Sequence, residues 1–460
     1  MATGGNVAES TIIARVLTSA LDVDATAWNA LLATQSHPTP FMRHEYLAAL
    51  QESGSATPRT GWTPRFMTLW EGDALVAACP LYLKSHSYGE YVFDWAWASA
   101  YEQHGVPYYP KAVVAVPFTP VPGTRLMARD AVARQWLVRA LCQWCRDEGI
   151  SSLHVLFASD DDVASATHEG LMARHTVQFH WTNVPPASSA TTAAPAGWGM
   201  PDIAPATPED TAAKPLPAAG DGPPSAAAVG PACGAAPAGR YRDFDDFLAH
   251  LSQEKRKKIR QERRRVADAG VTFRWAAGAD IASADWDFFY RCYERTYLEH
   301  GNPPYLTRAF FQQMAERMPA HWLLFIAERD GRPIASSLIA ISDDAASASR
   351  RNHSKSQPGT AYGRYWGALE RVDCLHFEAC YYQPLQWCIE HGVERFEGGA
   401  QGEHKMARAL LPVQATSLHW LAHPAFADAV ERFLEREGAG VGHYLDDLQA
   451  RSPFRNMEGQ

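Results

Sequence analysis

No stretch of this 460-residue chain approaches the roughly 18 consecutive apolar residues that a membrane-crossing helix needs. The best apolar run, Trp136 to Cys145, is broken by Arg139, so no membrane insertion is expected. Residues 1–19 carry one basic residue, Arg15, and no long apolar core, which is a poor match to a secretory leader. Positive charge is also lacking overall. The net charge of −9 excludes whole-surface attraction to nucleic acid or anionic lipid, so any anion site must be local. The 8 cysteines follow no disulfide spacing, which fits a reducing, cytoplasmic setting. Cys142 and Cys145 form a CxxC, but no second pair completes a metal site. Val138, Leu141, Cys142 and Cys145 fall instead on one helical stripe, the pattern of a buried face, and no metal is expected. No Gly-x-Ser-x-Gly surrounds Ser87, and the adjacent His86 and Ser87 of one strand cannot face each other, which excludes a hydrolase triad there. A His-x-Glu stands at His376–Glu378, but the Pro-Cys-x-x-Cys of the zinc deaminases is missing.

What is present divides the chain. Between Pro185 and Gly239, 37 of 55 residues are Ala, Pro or Gly, too little apolar surface to offset the entropy of ordering. Residues 185–239 are expected to be a disordered insertion between blocks at 10–184 and 240–455. A polar stretch from Asp343 to Thr360 reads as a long mobile loop. Each block alternates strands and helices. Hairpins are predicted around Glu71-Gly72-Asp73 and Asp330-Gly331. Helices are predicted over Asp130–Glu148, Ala284–Tyr297, Glu403–Leu411 and Ala425–Glu437, with strands at Tyr362–Trp366, Val393–Glu397 and Ser417–Leu421. Residues 375–380, if extended, would set His376, Glu378 and Cys380 on one face. The order predicts an α+β fold used twice.

Three segments carry chemistry. The densest is Phe396–Lys405, with three glycines, two carboxylates, an amide, an imidazole and an ammonium in ten residues. Glycines there permit close backbone approach to a ligand. The second is Lys255–Arg265, in which eight of eleven residues are basic. It reads as an amphipathic helix, either a solvated face or a phosphate-binding patch through Lys257 and Arg260. The third, His86–Trp97, reads as core packing or an aromatic substrate wall, with His86 and Glu90 as its polar members. Glu378, a carboxylate among aromatics, would suit a general base if buried.

The strings HSYGEYVFDWAWASAY (86–101), YYPK (108–111), VPFTPVPG (116–123), QFHW (178–181), KRKKIRQER (255–263), YGRYWG (362–367), LHFEACYYQ (375–383) and GAQGEHK (399–405) resemble the FemAB-like N-acyltransferases. That family is tied to peptidoglycan biosynthesis or recognition and lies within the GNAT superfamily. The resemblance spans roughly 27–183 and 240–455. It makes the Ala/Pro/Gly segment an insertion, and it puts Ala409 where the family has a small glycine. The resemblance implies two tandem GNAT-like domains with mixed sheets flanked by helices, the active centre being in the second. Tyr362–Trp366 and Val393–Glu397 would be the splayed strand pair that admits the acyl donor. An amine would attack the activated acyl carbon directly. Glu378, Glu397 and Glu403 are the base candidates, with His404 beside them in the catalytic set. Arg364, Tyr365, Trp366, Gln401 and Lys405 would hold substrate. The glycine loop that binds the pyrophosphate of acyl-CoA is missing, since residues 368–384 contain no glycine. The donor is therefore acyl-CoA, aminoacyl-tRNA or another thioester, and the partners are that donor, a charged tRNA being one candidate, and an amine acceptor. The rival reading is a non-catalytic module binding a peptidoglycan precursor or other anion. A third is a nucleic-acid binder built on the basic helix.

Overall fold

The computed structural model describes residues 11–185, 239–350, 359–400 and 402–455. Most of the predicted insertion, 186–238, lies outside the described residues, as do 351–358 of the predicted mobile loop.

Two tight turns show how local sequence sets the framework. Asp330 (φ 53°) and Gly331 (φ 72°) both take the left-handed conformation of a two-residue hairpin turn. They join β9 (Trp322–Arg329) to β10 (Arg332–Ile341). In the first half β2 (Trp62–Glu71) and β3 (Ala74–Lys84) pair in the same way around Gly72, with β1 (Ile12–Leu17) beside β2. The remaining strands of that half are β4 (Lys111–Val114), the short β5 (Met127–Ala128), β6 (Ser152–Ala158) and β7 (Met172–Thr182). The second half adds β8 (Val271–Ala277), β11 (Thr360–Ala368), β12 (Arg395–Ala400) and β13 (Leu411–Leu421).

All belong to one 13-stranded sheet in the order β1-β2-β3-β4-β6-β13-β7-β12-β11-β10-β9-β8, with β5 beside β3. The order is nearly palindromic. Each half supplies a strand, a hairpin and a parallel pair, β4 with β6 and β11 with β12. Each half then sends its last strand across the centre: β13 pairs with β6, and β7 pairs with β12. Helices flank this mixed sheet, the α+β architecture expected from the sequence. Trp181 of β7, 1% exposed, packs in the second half's core against Tyr241 and Phe247.

The helix Ala131–Asp147 starts where predicted: Asp130 caps it by accepting from the Ala133 N–H at 2.8 Å. Its Cys142 and Cys145 are buried free thiols on the core face. Four expectations are corrected. Residues 375–380 are not extended. A helical turn at Leu375–Phe377 runs through a π-helical segment, Glu378–Tyr382, into Gln383–Glu390. The apolar residues Leu375, Ala379 and Tyr382 are spaced for a helix and are buried as one face. Asp343–Arg350, expected as loop, is helical. Glu403–Arg408 is a 3₁₀ turn, and the chain is already a strand at Leu411. Pro412 is tolerated there because this end of β13 pairs only with β7; pairing with β6 begins at Thr416. The last helix runs on to Ala450.

Candidate active site

β11 and β12 run parallel through Thr360↔Arg395, Ala361↔Phe396 and Tyr362↔Glu397, and then part. On the other side of β12 the register with β7 shifts between Glu397 and Ala400. The divergence and the bulge together leave Gly398 and Gly399 outside every paired register. Both need to be glycine or nearly so. A Cβ on Gly398 would stand 2.4 Å from Leu410 Cδ2, and Gly399 has φ 78°. This is where the polar, glycine-rich segment sits.

A cavity opens on each side of the gap, and Gly363, Arg364, Tyr365 and Gly398 line both. The smaller, about 120 Å³, is walled by Trp366, Phe396 and the helix-borne His376, Cys380 and Tyr381. Burial keeps two of its titratable groups neutral: His376 is pushed down to about 4, and the Cys380 thiol up to about 12. Lys405 lies beside Cys380, donates to the Gly399 carbonyl at 3.0 Å, and is lowered by burial to about 8. His404 meets the Tyr381 hydroxyl at 3.3 Å, and burial with Arg408 and Lys405 nearby lowers its pKa.

The larger cavity, about 230 Å³, is closed by both halves: Tyr91, Phe118 and Pro120 from the first, Tyr293, Tyr297 and Leu306 from the second. The loop that brings Tyr91 here is anchored one residue earlier. Buried Lys111 donates to Glu90 Oε2 at 2.8 Å and Ser87 Oγ at 2.7 Å, and also to Asp94. Gly89, at φ 82°, lets Phe118 pass close: a Cβ there would be 2.7 Å from its ring.

The base candidates separate by environment. Glu397, in the last paired register before the gap, is buried, and its Oε2 has no hydrogen bond among the described residues. Desolvation raises it to about 8 against the pull of Arg395 and Arg125. His180 Nε2 lies 3.9 Å from it and is itself driven down to about 3 by burial, so it stays neutral. Glu378 is buried and, like Glu397, is not among the residues lining either cavity, but its carboxylate is paired, held by Arg263 Nε at 3.1 Å and by Gln383 Nε2 at 2.7 Å. Glu403 is exposed and tied to the C-terminal helix, accepting from the Tyr444 hydroxyl at 2.7 Å.

Of the other expected site residues, Arg364, Tyr365 and Trp366 line the gap. Gln401 lies outside the described residues. His86 sits against Gly61, and Glu90 holds Lys111; neither lines these cavities. Lys257 and Arg260 are exposed on the helix Gln253–Asp268, with Arg260 3.4 Å from Asp245. The Arg260 face borders a separate open hollow of about 530 Å³. That helix is also fastened to the fold: its Glu262 binds Arg408 at 2.9 Å and accepts from the Tyr382 hydroxyl. Tyr91, Phe118, Tyr293 and Tyr297 were not anticipated as cavity walls. Only the aromatic density of residues 86–97 hinted at Tyr91. Among the described residues no cluster of three His, Cys, Asp or Glu side chains is arranged to hold a metal, and no helix is long and apolar enough to cross a membrane.

The sequence matches the FemAB-like family profile, described as peptidoglycan biosynthesis/recognition, over residues 19–189 and 237–456. The chain belongs to the FemAB-like family. Both matched segments meet in the shared sheet, and the break between them falls on the Ala/Pro/Gly stretch. No curated protein matches this FemAB-like chain. Among solved structures, FemX aligns with a TM-score of 0.47 and 8% identity, over 91% of this chain and 100% of that one. L-PGS from Bacillus licheniformis aligns with a TM-score of 0.44 and 10% identity, over 89% and 97%. A tandem GNAT protein from the clavulanic acid biosynthesis pathway aligns with a TM-score of 0.40 and 12% identity, over 90% and 99%.

Proposed function

We propose that this FemAB-like protein is an N-acyltransferase that moves an acyl or aminoacyl group onto an amine in the gap between β11 and β12. The observation that carries this reading is the parting of two parallel strands at Glu397–Gly398, with a cavity on each side. Two substrates entering from opposite faces would meet at Gly398. The smaller chamber, walled by Trp366, Phe396 and Cys380, suits the uncharged arm of an activated donor, an acyl-CoA or an aminoacyl-tRNA. The larger chamber, where Arg364 meets Tyr91, Tyr293 and Tyr297, suits a polar acceptor. A cytoplasmic setting accords with the free thiols of all seven described cysteines.

In this reading the amine nitrogen attacks the acyl carbon. The new C–N bond forms as the C–S bond of a thioester, or the C–O bond of an aminoacyl ester, breaks. The leaving thiolate or alkoxide takes up a proton as it departs, handed on from Glu397, which has received one from the amine nitrogen. Backbone N–H groups at Gly398 and Gly399 are the candidates to steady the tetrahedral oxyanion. Glu397 takes the amine's proton, since its raised pKa of about 8 sits near the working pH of a general base. Cys380, held as a thiol, is unsuited to a covalent acyl intermediate.

The test is amine acylation with panels of acyl-CoAs and charged tRNAs, read by mass. Glu397→Gln should lower turnover about 100-fold, while Glu403→Gln should retain it. Full turnover in Glu397→Gln removes the base assignment. Binding of an intact ligand with no transfer by the unaltered protein favours the non-catalytic module instead.

A further inference from the structure

The larger cavity contains a charge that the protein itself does not neutralise. Arg364 Nη2 donates to the Phe118 carbonyl at 2.8 Å, but its buried Nε has no acceptor among the described residues. No described carboxylate lies within ion-pair distance of it. Of the buried guanidiniums elsewhere, Arg134 lies 3.4 Å from Asp162 and Arg408 2.9 Å from Glu262, while Arg125 donates to the carbonyls of Val121, Gly123 and Thr124; none of the three lines the cavity. Around Arg364 stand the ring faces of Phe41 and Tyr365, at 5.4 and 5.2 Å, and the phenols of Tyr46 and Tyr91. An unpaired charge taken out of water is expensive unless something arrives to pair with it.

We propose that this cavity binds a carboxylate, and that the acceptor is an amino acid or short peptide held by its carboxylate on Arg364. Tyr91 and Tyr297 line the same cavity, and their phenol hydroxyls would complete the oxyanion's hydrogen bonds. A carboxylate is favoured over a phosphate because one guanidinium supplies one positive charge, and no lysine or second arginine lines the cavity among the described residues. The volume of about 230 Å³ fits one amino-acid residue, not a nucleotide. The word acceptor rests on the transferase reading above; carboxylate binding does not.

The experiment is calorimetric titration of the full chain, without any acyl donor, with a panel of amino acids and dipeptides. Each is paired with its C-terminal carboxamide, and inorganic phosphate is titrated alongside. At least one carboxylate should bind 10-fold or more tightly than its carboxamide and than phosphate. Arg364→Gln should abolish that preference. Because loss of a buried arginine could unfold the protein, Tyr91→Phe serves as the second variant, on a surface loop, and should weaken the same ligand several-fold at unchanged melting temperature. Equal binding of carboxylate and carboxamide, preference for phosphate, or no binding by any carboxylate overturns the inference. Since no donor is present, a failure of acyl transfer bears on the transferase reading alone.

Discussion

Glu397 illustrates what single residues contribute. Its folded-state pKa of about 8 lies above its ordinary value of 4.5, so the folded protein holds a proton that the unfolded chain releases. Stability from this group is fully present below about pH 4.5 and is lost as the pH climbs toward 8. Glu397→Gln should therefore flatten urea-unfolding stability between pH 5 and 8, gaining on the order of 4 kcal/mol at the upper end. An unchanged slope would mean that the carboxylate is not buried. Glu378 shows the limit of reading one residue at a time. Its aromatic neighbours in sequence suggested a base. Its partner, Arg263, lies 115 positions away, and nothing in the local string announces it. Ala409 is the reverse case. The resemblance put a glycine at this position, and Ala409 adopts φ 64°, in the left-handed region.

Elements were legible where turn chemistry or period was unambiguous. Asp330-Gly331 and the capped helix after Asp130 fall where expected; the strands β11 and β12 were also expected, but their pairing was implied by the family resemblance, not by turn or period. Residues 375–380 misled because Leu375-His376-Phe377-Glu378 alternates apolar and polar, as a strand does, while also fitting one face of a helix; period alone does not choose over so short a run. β7 carries a consequence for stability. It belongs to the first half in sequence but buries Trp181 in the second half's core. Trp181→Ala should cost about 3–5 kcal/mol, and near-ultraviolet circular dichroism should show tertiary packing lost around Tyr241 and Phe247. A loss below 1 kcal/mol would mean that β7 is not a strut between the halves.

The whole molecule is one sheet made by exchange, and that could not be read from the chain. Alternation tells which residues form strands, not which strand lies beside which. The exchange predicts that residues 1–184 and 239–460, expressed apart, are each poorly folded, because each lacks the other's crossing strand. Co-expression should restore a single cooperative thermal transition. Two fragments that each melt sharply alone would show that the halves are autonomous. The same exchange builds the larger cavity, since Tyr91 and Phe118 reach Arg364 only because the halves share the sheet. The most direct test of the central claim, acyl transfer in the β11–β12 gap, is the mass of the product formed from an activated donor and an amine. The account predicts an amine heavier by one acyl or aminoacyl group, with no acyl group left on the protein, and a yield that collapses in Glu397→Gln. A stable acyl-protein adduct, or an undiminished yield from that variant, would contradict it.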